Sequence, residues 1–376
     1  MIRSILILLV LNLNLNLNLI SQQSKEKYLI IGTYTSPAKD DGIYVYKFNT
    51  ETGDNSFVSS VKTSNPSYLV VSPNNKYVYA VNEDAPGMVT SFIFNKPNNR
   101  LLQKNRQPSQ GKHPCYITID KTGKWVIVGN YSSGTVAVYP VNKDGSLGAP
   151  TDSVKHEGSS VNLARQETAH VHATVLNKNN KTLYVPDLGL DKVMLYSLDT
   201  KKGKLKEFNP PFIITEAGAG PRHVDIHPNG KYAYLMEELT GSISVYKIES
   251  NGFLSLLQNI SGLPRDFTGD IGSADIHVSP DGKFLYCSNR GESNTIGILS
   301  IDQSTGELKW VDHQATLGRT PRNFNFDPSG NFLLVANQNS DEIVIFKRNK
   351  QTGLLADTGK RINVSKPVCL KWMNVE

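Results

Sequence analysis

From Tyr28 almost to the end, short β-branched and aromatic runs alternate with compact breaks of Gly, Asn, Asp and Pro. No stretch keeps the 3.6-residue apolar period of an amphipathic helix, so the pattern predicts strands and tight turns. The breaks recur. "SPNNKYVYAVN" starts at Ser72, "DKTGKWVIVGN" at Asp120, "NKNNKTLYVPD" at Asn177, "HPNGKYAYLME" at His227, "SPDGKFLYCSN" at Ser279 and "DPSGNFLLVAN" at Asp327. The turn residue falls at 75, 123, 180, 230, 282 and 330, giving steps of 48, 57, 50, 52 and 48. A purely β unit repeating about every 50 residues predicts a propeller with one four-stranded blade per unit.

Each unit reads the same way. A first strand runs into an Asn/Gly hairpin turn, a second strand follows, and a third carries patterns such as Val136 to Tyr139, Val193 to Tyr196 and Ile243 to Tyr246. A turn with Gly at 203, 306 or 353 leads into the fourth strand. The ends supply a seventh blade. "KYLIIGTYTS" at Lys27 is a second strand with no first strand before it, and "PVCLKWM" at Pro367 is a first strand with nothing after it. Pairing them closes the ring and removes the exposed sheet edges. The expected fold is all-β, a seven-bladed β-propeller in one domain over residues 28–374, closed by its N- and C-terminal strands.

The register exposes a site. Nine residues before each turn lies the start of a first strand, and the next residues are Ser67, Cys115, His172, Arg222, Ala274 and Arg322, with Val368 in the closing strand. Eight residues after each turn lie Glu83, Tyr131, Leu188, Glu238, Arg290 and Gln338, with Tyr34 in blade one. Antiparallel pairing puts the start of the first strand beside the end of the second. Both sets therefore ring one mouth of the central channel. Any polar residue suits such a rim, which accounts for Ser67, Glu83 and Gln338. It accounts less well for His172, Arg222, Glu238, Arg290 and Arg322 together, because like charges converge there without an anion or a proton-transfer role.

Other polar positions read more plainly. Glu237 and Asp187 point to the opposite strand face. His223, His227 and His277 read as hydrogen-bonded core histidines, and Asp275 as a partner for an arginine. His170 and His172 have HxH spacing, but no nearby ligand completes a metal site, and none is expected. The step of 57 residues reflects a long loop from about Lys155 to Ala169, which carries Arg165 and Gln166 and is placed to cover the mouth.

Composition narrows the classes. The 376 residues are 39% hydrophobic, enough for a folded core. The net charge of +6 is dispersed, which argues against a nucleic-acid surface. Cys115, Cys287 and Cys369 are odd in number and sit in apolar strands, so buried free thiols are expected. Residues 1–24 form a leader, with Arg3, an apolar stretch to about Leu19, and small polar residues from Ser21. It resembles a secretory signal, with a low-complexity leader as the alternative. Its four asparagines make it a poor permanent membrane span. A periplasmic or secreted monomer without a membrane anchor after cleavage is expected, or a cytoplasmic one if the leader is not a functional signal. No GxSxG, HExxH, GxGxxG or P-loop is present, so any hydrolysis would use an activated water.

Six stretches in order, "GKHPCYITID", "RQETAHVHATV", "VPDLGLDKVMLY", "GAGPRHVDIHPNGKYAYLMEEL", "ADIHVSPDGKFLYCSNRG" and "GRTPRNFNFDPSGNFLLVANQ", resemble the seven-bladed propeller lactonase family of bacterial 6-phosphogluconolactonases, related to fungal carboxymuconate-lactonizing enzymes. The resemblance covers roughly residues 28–374. It implies lactone hydrolysis, or lactone formation in the muconate relatives, on a small anionic sugar lactone without a metal or organic cofactor. It assigns catalytic roles to His172, Arg222, Glu238 and Arg290. Glu237 departs from the family's frequent Asn at that position. Arg322, Gln338, His170 and Gln166 are the expected substrate contacts. A non-catalytic binding propeller is the competing reading, and a muconate-type cyclase is a third.

Overall fold

The computed structural model describes residues 25–36 and 41–375, so the leader lies outside the described residues. Among them are seven four-stranded antiparallel sheets. Six are built from consecutive strands. The seventh combines Pro367–Asn374 with Glu26–Thr33, Gly42–Asn49 and Asn55–Lys62, in that order from the inside. Lys27 pairs with Asn374 and Gly32 with Cys369, so both ends of the chain make one blade. The expected seven-bladed propeller, with its N- and C-terminal strands joined, is the fold observed.

The turns explain why the repeat uses Asn and Gly. Asn75, Gly123, Asn180, Gly230, Gly282 and Gly330 have φ of 55°, 69°, 61°, 73°, 72° and 68°. Only Gly and, to a lesser degree, Asn enter this left-handed region readily. In five of the six turns the polar head residue accepts from a following amide, as Asp327 Oδ1 does from Phe332 at 2.7 Å and Asp120 Oδ1 from Trp125 at 2.8 Å; Asn177 instead donates to Tyr184 Oη.

The second-strand tyrosines stitch neighbouring blades together. Tyr79, Tyr184, Tyr234 and Tyr286 are fully buried. Their hydroxyls donate to the carbonyls of Gly145, Gly252, Gly306 and Gly353, each in the next blade, at 3.1, 2.8, 3.0 and 2.6 Å. Each ring adds apolar burial between sheets, and each hydroxyl finds its partner there.

Two inner strands are shorter than the register predicts. Blade two has Leu69–Val71 rather than a strand from residue 66, and blade four has Val175–Leu176 preceded by a single bridge from Val171 to Asp187. Blade four has a local cause. The His172 amide donates to the Pro186 carbonyl at 3.0 Å, but Pro186 has no N–H to return, so the ladder cannot continue there.

Candidate functional site at the channel mouth

One main-chain clamp repeats around the whole mouth. The amides of Tyr34, Glu83, Tyr131, Leu188, Glu238, Arg290 and Gln338 donate to the carbonyls of Lys366, Asn65, His113, His170, Gly220, Gly272 and Thr320, at 2.7 to 3.2 Å. These are the seven second-strand rim positions. Just beyond the clamp the ladder slips. Irregularities fall between Pro114 and Tyr116, Pro221 and His223, Ser273 and Ile276, and Pro321 and Asn323, with another opposite Val368. A bulge puts two residues against one and re-aims the extra side chain. Arg222 and Arg322 occupy this same place in blades five and seven.

Glu238 is the hub. Its Oε2 accepts from Arg222 Nε at 2.7 Å and lies 3.0 Å from Arg290 Nη2, while Oε1 accepts from Arg165 Nη2 at 2.6 Å. His172 Nε2 is 4.0 Å from Oε2. Arg222, His172 and Glu238 are buried, at 1%, 4% and 5% exposure. Main-chain carbonyls hold the arginines from behind: Ala274 accepts from Arg222 Nη1 at 2.6 Å, and Gly272 from Arg290 Nε at 2.8 Å. Among the described residues Arg222 Nη2 and Arg290 Nη1 have no hydrogen-bond acceptor.

These surroundings set the charge states. Burial opposes ionisation of Glu238, but Arg290, Arg222, His172 and Arg165 outweigh it and hold the carboxyl well below its ordinary 4.5. Burial, then Arg222 and His223, push His172 well below 6.5, so its imidazole is neutral at neutral pH. Burial and the neighbouring guanidiniums bring Arg290 down to about 10, and it remains a cation. Glu237 is separate from this cluster. It is fully buried on the other strand face, accepts from Ser244 Oγ at 2.8 Å, and burial raises it to about 7.

The long loop supplies a residue that the register could not find. Arg165 reaches from it across the mouth to Glu238; the only signal in the sequence was its place in the added length. Gln166 has a different job from the expected substrate contact. It is fully buried, and its amide donates to the Leu188 carbonyl and Asp191 Oδ1 and accepts from the Asn162 amide. With its polar atoms engaged, it anchors the loop. Gly189 allows the loop to dock, since a Cβ there would sit 1.8 Å from the Thr168 carbonyl oxygen. His170 stacks on Tyr131 at 4.3 Å, with Nδ1 facing the Tyr131 carbonyl and Nε2 facing Glu167, so it braces the mouth beside His172.

The opposite side of the mouth is less saturated. Arg322 lies over the Tyr34 ring at 5.4 Å, and Tyr34 donates to Glu83 Oε2 at 2.9 Å. Among the described residues no group accepts a hydrogen bond from the Arg322 guanidinium or engages the Gln338 side chain. Asp275 does not meet an arginine as expected. It accepts from His223 Nδ1 at 2.7 Å, faces His277 Nε2 at 3.1 Å, and takes a further bond from the Asn323 amide. Beneath the rim the channel narrows to a cavity of about 10 Å³. Two larger surface concavities, about 760 and 470 Å³, lie by the turns at the far end of the blades, remote from this cluster. The convergent charged groups make the mouth, not those hollows, the candidate site.

A family model described as "Lactonase, 7-bladed beta-propeller" matches residues 28–372. The chain belongs to this lactonase family. A curated relative from Formosa agariphila, named 6-phosphogluconolactonase, is 38% identical over 333 residues, covering 87% of this chain and 94% of the relative. One of the same name from Bacillus subtilis is 35% identical over 352 residues, covering 93% and 99%. The solved structure of a periplasmic gluconolactonase from Pseudomonas aeruginosa superposes with a TM-score of 0.89 at 36% identity, covering 93% of this chain and all of that one.

Proposed function

We propose that this lactonase hydrolyses a small sugar lactone to its open acid at the channel mouth, with Arg222, Arg290, Glu238 and His172 as its working groups. The observation that carries the reading is the Glu238 hub, which holds the buried Arg222 and the partly buried Arg290 guanidiniums while, among the described residues, each keeps a donor to spare. Arg222 Nη2 and Arg290 Nη1 are the groups to meet the carbonyl oxygen as it becomes an oxyanion. Neutral His172 takes a proton as water adds to the carbonyl carbon and gives one to the ring oxygen as the C–O bond breaks. The Glu238 carboxylate, too weakly basic to take that proton itself, lies 4.0 Å away and stabilises the imidazolium. Arg322 and Gln338 face the remainder of the substrate, and Arg322 suits an anionic substituent. The leader and the periplasmic relative support action outside the cytosol.

Acid release from a panel of phosphorylated and plain sugar lactones tests this. Arg222→Ala and Glu238→Gln should each lower kcat/KM by roughly 100- to 1,000-fold. Flat traces from folded wild-type protein on every lactone would instead favour a binding module.

A further inference from the structure

Directly under the arginine cluster, the narrow cavity is lined by Ser67, His172, Arg222, His223 and Arg322, among others. Its volume of about 10 Å³ is room for roughly one water. Two of its polar groups have unused capacity. Ser67 is 2% exposed, and its Oγ is buried without a hydrogen-bond partner. His223 is 5% exposed and spends Nδ1 on Asp275 at 2.7 Å.

That contact fixes the His223 tautomer. Burial opposes the charge on Asp275, but His277 and His223 hold it ionised, so it can only accept and the proton sits on His223 Nδ1. Nε2 is then a bare acceptor, and none of the described residues donates to it. A buried hydroxyl left unpaired and an imidazole acceptor on a buried histidine, beside a water-sized space, are two of the partners that one ordered water needs.

We propose that a single water held by Ser67 and His223 in this cavity is the nucleophile that opens the lactone. This rests on the lactonase reading above. One O–H of the water donates to His223 Nε2, and the Ser67 hydroxyl donates to the water oxygen. The other O–H faces His172, which lines both the cavity and the mouth. The water oxygen forms the new bond to the carbonyl carbon, and its proton passes to His172. The ring C–O bond then breaks, and His172 returns that proton to the departing ring oxygen. His223 has its Nδ1 tied to Asp275, while His172 lies 4.0 Å from the Glu238 carboxylate, so His223 orients the water and His172 moves the proton. Asp275 is a positioning residue that acts through His223. Attack therefore comes from inside the channel, and bulk solvent need not enter the occupied mouth.

Two variants and one map test this. Ser67→Val should fill the cavity and lower kcat by about 100-fold, with KM within threefold and a Tm close to wild type, because a displaced nucleophile costs rate rather than binding. Ser67→Ala, which keeps the space but removes one partner, should fall between Val and wild type. A crystal structure of the wild type at atomic resolution should show a water within hydrogen-bond distance of Ser67 Oγ and His223 Nε2. A dry cavity, or a kcat for Ser67→Val within threefold of wild type, would overturn the proposal. The map can be read even if Ser67→Val fails to fold. If the wild type opened no lactone, the functional reading would fall with the nucleophile assignment, while the map would still decide whether the site holds water.

Discussion

Two adjacent glutamates show how strongly one strand step decides chemistry. Glu238 faces the channel among three arginines, and Glu237 faces the blade interior with its Oε2 unpartnered. Burial raises Glu237 from 4.5 to about 7 in the folded chain. The folded state therefore holds that proton more tightly than the unfolded chain, and the stability it confers is lost as pH rises from about 4.5 to 7. Glu237→Gln removes this titration. In denaturant melts across that range, wild type should lose stability relative to the variant as pH rises, by about 1–3 kcal/mol in all. A parallel pH dependence in both proteins would count against a buried, titrating Glu237. His172 predicts a matching kinetic behaviour. Its neutral form is the working one and its pKa is depressed, so lactone turnover should be level through neutral pH and fall only well below pH 6.5. A pH–rate profile of kcat/KM checks this.

At the scale of elements, the loop and the blade seams behave differently. The Arg165 side chain is 43% exposed and spans the mouth to Glu238. Arg165→Ala should lower kcat/KM by roughly tenfold through loss of one cation at the hub, and leave Tm nearly unchanged because the loop stays anchored through Gln166. Steady-state kinetics beside a thermal melt separates the two effects. At a seam the balance reverses. Tyr234→Phe loses the bond to Gly306 and should cost about 1 kcal/mol in urea unfolding, with catalysis intact. The rim was legible in the sequence because period, turn chemistry and register all repeat, so counting from a turn located Arg222, Glu238 and Arg290. Counting could not reveal the bulge after Pro221, since a bulge is a property of two paired strands. Nor could it place Arg165, which lies in the one segment that breaks the period. Gln166 anchors the loop rather than facing the mouth for the same reason: loop length says that a residue is near the mouth, not which way its amide points.

At the scale of the whole molecule, the ring is closed by Pro367–Asn374 against Glu26–Thr33. Removing residues 367–376 would leave open strand edges in blade one and between its neighbours. The truncated chain should lose cooperative unfolding and associate, as read by light scattering. The clamp around the mouth has a different consequence. It uses main-chain atoms in all seven blades, and among the described residues only the Arg290 side chain shares one of its carbonyls, that of Gly272. The frame that holds the entrance is thus indifferent to what decorates it. Two positions per blade can be rewritten by point substitution, one blade at a time, while the backbone beneath stays put. Descendants of one such ring can diverge in what they admit without first having to discover a new way to fold.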